Sequence, residues 1–261
     1  MTRYSPRSKK VRPAPSRDVV FGRNPVAELL RGAPAGIERL YVAEGARGIE
    51  AILAAARTIG IQVESVTRDA LDDLTRGGHH QGVVAATKPA AGVAVEELIA
   101  SASPLLVALD GIQDPQNLGA VIRAAEVLGA GGVVLPKDRS AGVTTAMIRA
   151  SSGAAIHLPI AQVVNLARAV ADLKNAGYWA VGLDAGGASR FQDLPRLERV
   201  VLVIGGEGRG IRPLVGRACD FMVGIPVRGR VASLNAAAAA AIALHEMAER
   251  IFPGPSPGAF R

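Results

Sequence analysis

Apolar positions in this chain follow two periods, and the switches between them outline its elements. Near the start, Val26, Leu29 and Leu30 follow Asn24-Pro25, which predicts a helix with proline in its first turn. A short strand is expected at 39–43. Ile49, Ile52, Leu53 and Ala56 then recur on one face of a helix over about 48–59. Residues 61–66 alternate as a strand, Thr67 is placed to cap a helix running through Leu74, and 81–87 reads as another strand. A second series begins past residue 95. Its expected strands are 105–109, 132–135, 155–158, 178–183, 200–204 and 221–225. Its expected helices are 117–129, 143–151, 163–176, 211–217 and 234–251. Regular alternation of strand and helix predicts an α/β architecture with parallel strands joined by crossovers.

Composition narrows the picture. The 261 residues suffice for one large or two small domains, and 49% are hydrophobic. Aromatics make up only 3%, so the core must be built from Ala, Val, Leu and Ile. No strongly apolar run is long enough to span a bilayer. The Ala236–Ala243 stretch leads directly into His245, Glu246, Glu249 and Arg250, and the N-terminus lacks a signal-like apolar segment. The single cysteine, Cys219, excludes an intrachain disulfide framework and suits a reducing, cytoplasmic setting as a small buried residue.

Charge is concentrated at one end. Residues 1–23 carry seven basic side chains and one acid, +6 of the chain's formal +7. Such a tail can grip phosphate backbones without reading sequence, or simply solubilise the protein. The expected organisation is a basic disordered tail (1–17), a small α/β domain (18–88), a linker (89–95) that opens with Pro89-Ala90-Ala91-Gly92, a larger α/β domain (96–252) and a flexible tail (253–261).

Three segments carry candidate chemistry. Ile225-Pro226-Val227-Arg228-Gly229-Arg230-Val231-Ala232-Ser233-Leu234-Asn235 ends a strand and opens an Ala-rich helix, with Ser and Asn as capping types. Asp110-Gly111-Ile112-Gln113-Asp114-Pro115-Gln116-Asn117-Leu118-Gly119-Ala120-Val121-Ile122-Arg123-Ala124-Ala125 follows an apolar strand. Gly205-Gly206-Glu207-Gly208-Arg209-Gly210 follows another. Strand ends meeting helix starts are common ligand sites in α/β folds. Neither a G-x-G-x-x-G dinucleotide fingerprint nor a P-loop is present.

Taken in order, these segments resemble the three motifs of the SpoU (TrmH-type) RNA 2′-O-ribose methyltransferases of the SPOUT superfamily. The matching pieces are N-x-G-x-x-x-R-x-A at Asn117–Ala125, the Gly-Glu turn at Gly206–Gly210, and I-P…S-L-N at Ile225–Asn235. The resemblance covers about 96–251. The opening of the small unit, Val20–Val26, and its close, His79–Val83, are similar to the L30e/L7Ae-like RNA-binding domain fused to some of these enzymes. The resemblance implies a small N-terminal L30e/L7Ae-like domain and a C-terminal SPOUT domain, with a mostly parallel sheet and a deep trefoil knot. It implies S-adenosylmethionine as methyl donor and a homodimer formed through the C-terminal domain. The implied substrate is RNA, foremost a guanosine of large-subunit (23S-type) rRNA. A tRNA enzyme, an antibiotic-resistance rRNA enzyme and a non-catalytic ribosome-assembly protein remain as alternatives.

Roles follow residue by residue. Gly205, Ile225 and Leu234 would contact the donor, the glycines at 205 and 206 leaving room for its approach and Ile225 with Leu234 sandwiching its adenine. Arg123 is the implied activator of the ribose hydroxyl. Because a guanidinium stays protonated at physiological pH, holding a 3′ phosphate and stabilising a developing alkoxide are its simpler roles. Asn117 would cross-link loops or cap its helix. Glu207 would orient Arg123 or an asparagine, or receive the proton. Ser233 and Asn235 would bond the ribose, the donor or Glu207, and Arg228 and Arg230 would grip phosphate. Ser151-Ser152-Gly153-Ala154 resembles a family segment with a structural or RNA-contact role. His79 and His80 read as ordinary surface histidines. No metal is needed for a sulfonium electrophile, and no clustered Cys/His ligand set is evident.

Overall fold

The computed structural model describes residues 18–88, 92–137, 145–187, 189–230 and 233–252. The expected tails at 1–17 and 253–261, and residues 89–91 of the expected linker, lie outside them. The chain forms two compact units.

The first unit opens with a strand the sequence pattern did not declare, β1 (Asp18–Phe21). There follow α1 (Arg23–Gly32), β2 (Ile37–Ala43), α2 (Glu50–Ile59), β3 (Val63–Val66), α3 (Arg68–Thr75) and β4 (Val83–Thr87). The strand order is β1-β4-β2-β3, with β4 antiparallel to both neighbours and β2 parallel to β3. All five residues of β4 are buried, consistent with its interior position and its small and branched side chains. The Thr67 hydroxyl accepts the Ala70 N–H at 3.3 Å and so caps α3. Gly60, at φ 81°, ends α2 in a left-handed cap. Val26, Leu29 and Leu30 of α1 pack with Ile52 and Ala56 of α2 in one core.

The second unit runs α4 (Val95–Ala100), β5 (Leu105–Asp110), α5 (Pro115–Val127) and β6 (Val133–Pro136). The chain then passes through α6 (Thr145–Ala150), which belongs to the first unit, and the second unit resumes with β7 (Ile160–Val163), α7 (Leu166–Asn175), β8 (Trp179–Leu183), β9 (Val200–Gly205), α8 (Pro213–Gly216), β10 (Phe221–Val223) and α9 (Ala236–Ile251). Six strands form a parallel sheet in the order β10-β8-β9-β5-β6-β7. After β7 the chain returns to the other side of β5, and β9 is laid between β5 and β8. This reversal of strand order opens a crevice at the carboxyl ends of the strands. β5 and the first five residues of β9 are fully buried, as a strand covered on both faces requires.

Several expectations shift. The strand expected at 155–158 is a 3₁₀ turn over Ala154–Ile156, and the strand lies at Ile160–Val163. Ser152 and Gly153 both have positive φ, 54° and 100°, which keeps the chain turning there. The helix expected from 163 starts only at Leu166, because Asn165 caps it through the Arg168 N–H (3.1 Å). Part of the expected linker is already structured: the Val93 N–H donates to the Ile160 carbonyl (3.0 Å), and α4 starts at Val95.

The 145–156 stretch, expected within the larger domain, packs with the first unit. Ile148 joins the core of Val20, Val26 and Ile52. The Arg149 guanidinium lies 3.9 Å from the centre of the Phe21 ring, and burial pulls its pKa down. Gly153 sits so close to α1 that a Cβ there would lie 2.5 Å from the Glu28 Cβ. The Ser151 hydroxyl is fully buried, donating to the Ile148 carbonyl and accepting the Ala155 N–H, both at 3.1 Å.

Candidate active site

Asp110 ends β5 and pairs in register with Gly205 at the end of β9. Its carbonyl accepts the Gly206 N–H at 2.9 Å. Its carboxylate, in a residue only 1% exposed, accepts the Arg212 N–H at 2.7 Å and the Arg212 Nε–H at 2.6 Å. One buried acid thus holds both ends of the turn between β9 and α8. Paired and fully hydrogen-bonded in this way, a buried charge avoids the penalty of an orphaned one.

Glycine is required inside that turn. Gly208 and Gly210 have φ of 75° and 60°. A Cβ on Gly205 would meet the Gly210 carbonyl carbon at 2.2 Å, and one on Gly206 the Gly111 oxygen at 2.3 Å. Gly205 and Gly206 are therefore dictated by protein backbone pressing on protein backbone, a stronger demand than room for a ligand.

The turn presents Glu207 to two asparagines. Asn117 Nδ2 donates to Glu207 Oε1 at 2.6 Å, and Asn235 Nδ2 donates to the same oxygen at 3.2 Å and to Asn117 Oδ1 at 3.0 Å. Asn235 Oδ1 meanwhile accepts the Ala237 and Ala238 N–H groups (2.9 and 3.2 Å) and caps α9. One side chain thus starts a helix with its oxygen and organises the site with its nitrogen. Asn117 is not the cap of α5. That place belongs to Asp114, whose carboxylate accepts the Gln116 and Asn117 N–H groups (3.2 and 3.1 Å) ahead of Pro115.

Beside this cluster lies a cavity of about 490 Å³. Its walls come from the end of β8 (Leu183, Asp184), the end of β9 (Ile204, Gly205), the Glu207 turn, and Ile225, Val227, Ser233, Leu234 and Asn235. Ala236 and Ala239 of α9 close it. Six of the expected residues, Gly205, Glu207, Ile225, Ser233, Leu234 and Asn235, share this wall. Apolar walls with a few polar groups, at this volume, suit a nucleoside-sized ligand. Asp184 and Glu207 put carboxylates on the same wall, which favours a ligand carrying positive charge.

Arg123 is not among the lining residues. It lies on the exposed face of α5 with Ala120 and Val127, one to two turns beyond Asn117. The α9 alanines divide between two environments. Ala236, Ala240 and Ala243 are buried within the chain, where α9 packs on α5, whereas Ala238 is exposed. His80 corrects the surface reading. It is buried, Nδ1 accepts the Gly82 N–H at 3.0 Å, and Nε2 lies 3.2 Å from an Asp72 carboxylate oxygen. Sequence reasoning missed Asp110, Arg212 and Asp184. An acid closing an otherwise apolar strand was the available signal for Asp110.

Residues 104–245 match the SpoU rRNA methylase family, and residues 19–92 match the RNA 2′-O ribose methyltransferase substrate-binding family. A protein of Mycobacterium ulcerans described as an uncharacterized tRNA/rRNA methyltransferase is 40% identical, over 94% of this chain and 82% of its own. An AdoMet-bound rRNA methyltransferase from Sinorhizobium meliloti superposes with a TM-score of 0.75 at 26% identity, covering 91% of this chain and 88% of its own. The SpoU methyltransferase AviRb from Streptomyces viridochromogenes, solved with AdoMet, gives 0.76 at 26% identity and covers 92% of both chains.

Proposed function

The chain belongs to the SpoU rRNA methylase family, and we propose that it transfers a methyl group from S-adenosylmethionine to a ribose 2′-hydroxyl of RNA, foremost a guanosine of large-subunit rRNA. The observation that carries this reading is the cavity at the carboxyl ends of β8 and β9, walled by the motif residues and bordered by the Asn117–Glu207–Asn235 cluster. A match of residues 19–92 to a substrate-binding family supports RNA as the acceptor. An RNA substrate and a lone thiol also suit a cytoplasmic enzyme.

S-adenosylmethionine supplies an electrophilic methyl group on a sulfonium. The residues of this chain bind and orient. Ile225, Val227 and Leu234 offer apolar faces for an adenine, and the backbone at Gly205 offers polar groups for its edge. Glu207 and Asp184 would supply negative charge that favours the cationic donor in this cavity. Both amide N–H bonds to Glu207 fall on Oε1, which fixes the carboxylate and leaves the lone pairs of Oε2 for substrate or solvent. Ser233 stands on the cavity wall as a further hydroxyl for ribose or donor.

Arg123 acts on the acceptor side, holding phosphate and stabilising the developing alkoxide as the hydroxyl proton passes to the Glu207 carboxylate or to solvent water. Its place on the outer face of α5 suits action in a homodimer, where it would serve the partner's cavity. The exposed apolar Val127 (70%) and Ile242 (40%) on α5 and α9 support such an interface. Arg123→Ala should lower single-turnover methyl transfer by about 100-fold or more, while calorimetric donor affinity stays near wild type. Equal transfer by both proteins removes Arg123 from the mechanism. Mapping ribose methylation in rRNA and tRNA from a strain lacking the protein identifies the substrate by the methyl that disappears.

A further inference from the structure

The Gly224–Arg228 segment divides two cavities. Ile225 and Val227 line the large one, whereas Gly224, Pro226 and Arg228 line a smaller notch of about 160 Å³ with Arg190, Phe191, Gln192 and Glu246. Successive residues of an extended chain point to opposite sides, so a single strand of backbone forms a wall of both.

The notch is built by defined contacts. Gly187 and Ser189 each lie hard against the end of β10. A Cβ on Gly187 would lie 2.3 Å from the Val223 carbonyl carbon, and the Gly224 N–H donates to the Ser189 carbonyl at 2.9 Å. This delivers Arg190 beside Gly224. Phe191 forms a buried floor. Arg250 Nη2 donates to the Leu194 carbonyl at 2.6 Å and draws α9, with Glu246 one turn earlier, onto the same segment. Among the described residues the Arg190 and Arg228 guanidiniums have no ion-pair or side-chain hydrogen-bond partner, and both residues are exposed. Two guanidiniums without a carboxylate partner thus stand by Glu246, while the nearby Asp193 carboxylate is taken up by the Arg190 backbone N–H at 2.9 Å.

We propose that this notch receives an RNA phosphodiester next to the target nucleotide, and that filling it steadies the Ile225–Val227 wall of the donor cavity. The proposal rests on the RNA methyltransferase reading. Arg190 and Arg228 supply forked donors to phosphate oxygens. Glu246, an acceptor when ionised, takes N–H or O–H groups from a base or sugar, which free phosphate lacks. Because both cavities share one wall, RNA and donor should bind cooperatively, each tightening the other by the same factor.

The test combines Arg190→Gln and Arg228→Gln in the full chain, with the Lys pair as a charge-keeping control. RNA binding measured against salt should lose about 0.7–0.9 from its log–log slope, the value of one phosphate contact, and the Lys pair should largely restore it. Without RNA the Gln pair should bind S-adenosylmethionine like wild type. RNA should tighten that binding by about 5-fold in wild type and not in the variant. A wild-type salt slope in the Gln pair overturns the site. So does donor binding weakened without RNA, or conversion of the protein to a monomer, which would make the notch a protein interface. If inorganic phosphate at matched ionic strength reproduces the effect of RNA, the notch is a simple anion site and the RNA assignment fails. Wild-type protein that binds neither RNA nor donor sinks the methyltransferase reading, and the notch proposal falls with it.

Discussion

Asn235 does two jobs with two atoms, and substitution can separate them. Asn235→Asp keeps an oxygen for the Ala237 and Ala238 N–H groups, so the α9 cap survives. It also places a second carboxylate where the amide nitrogen stood, 3.2 Å from Glu207 Oε1. Two carboxylates at that distance cannot both ionise at their usual pKa, and one is held protonated to higher pH. Lower pH relieves the repulsion, so the variant's activity relative to wild type should climb from about pH 8 to about pH 6. A flat ratio would detach Glu207 from the asparagines. Asn235→Ala, which loses the cap too, should also cost stability of about 1–2 kcal/mol in denaturant titration. At Cys219, burial, reinforced by Asp220, raises the thiol pKa to about 11. At pH 8 a thiol reagent should label the folded protein about 100-fold more slowly than the unfolded chain; equal rates would mean an open thiol. Asn117, Glu207 and Asn235 were legible because they sit in ordered motifs. Asp110 was not, because its importance lies in reaching Arg212, 102 residues away.

Among the elements, the turn between β9 and α8 gives the sharpest contrast. Gly206→Ala drives a methyl into the Gly111 carbonyl, with backbone on both sides and nothing flexible to yield. Gly208→Ala meets nothing within 4 Å and bears only the strain of φ 75°. The first should cost roughly 1–3 kcal/mol or more by overpacking and weaken donor binding. The second should cost about 1 kcal/mol with donor affinity close to wild type. Similar losses in both would mean that conformation, not contact, makes the turn. Element types were mostly readable because helix and strand periods are strong over long stretches. The misplacement at 155–158 has a local cause. Ala-Ala-Ile-His-Leu looks like a strand, yet Ser152 and Gly153 have already set the chain turning. β1 escaped notice because Asp-Val-Val-Phe gives too little pattern, and its partner β4 lies 62 residues further on.

At the scale of the whole molecule, the first unit is assembled from two stretches of chain, 18–88 and 145–156. No local pattern announces this. The second stretch looks like a short amphipathic helix, and only tertiary contact reveals that Ile148 completes a distant core and that Arg149 covers Phe21. Ile148→Ala should therefore destabilise the first unit, by about 2–5 kcal/mol for a buried isoleucine. Hydrogen exchange should report this in β1 and β4, with β5 and β9 little changed. Protection lost uniformly across both units would show that they unfold as one. The same arrangement sets an order of events during synthesis. A ribosome at about 5–20 residues per second needs roughly 3–14 s to add the chain between residues 88 and 156. Throughout that interval the newborn first unit lacks the piece that covers Phe21 and Val20. The protein thus begins life with an open apolar face, one that a nascent-chain chaperone can meet before the chain covers it itself.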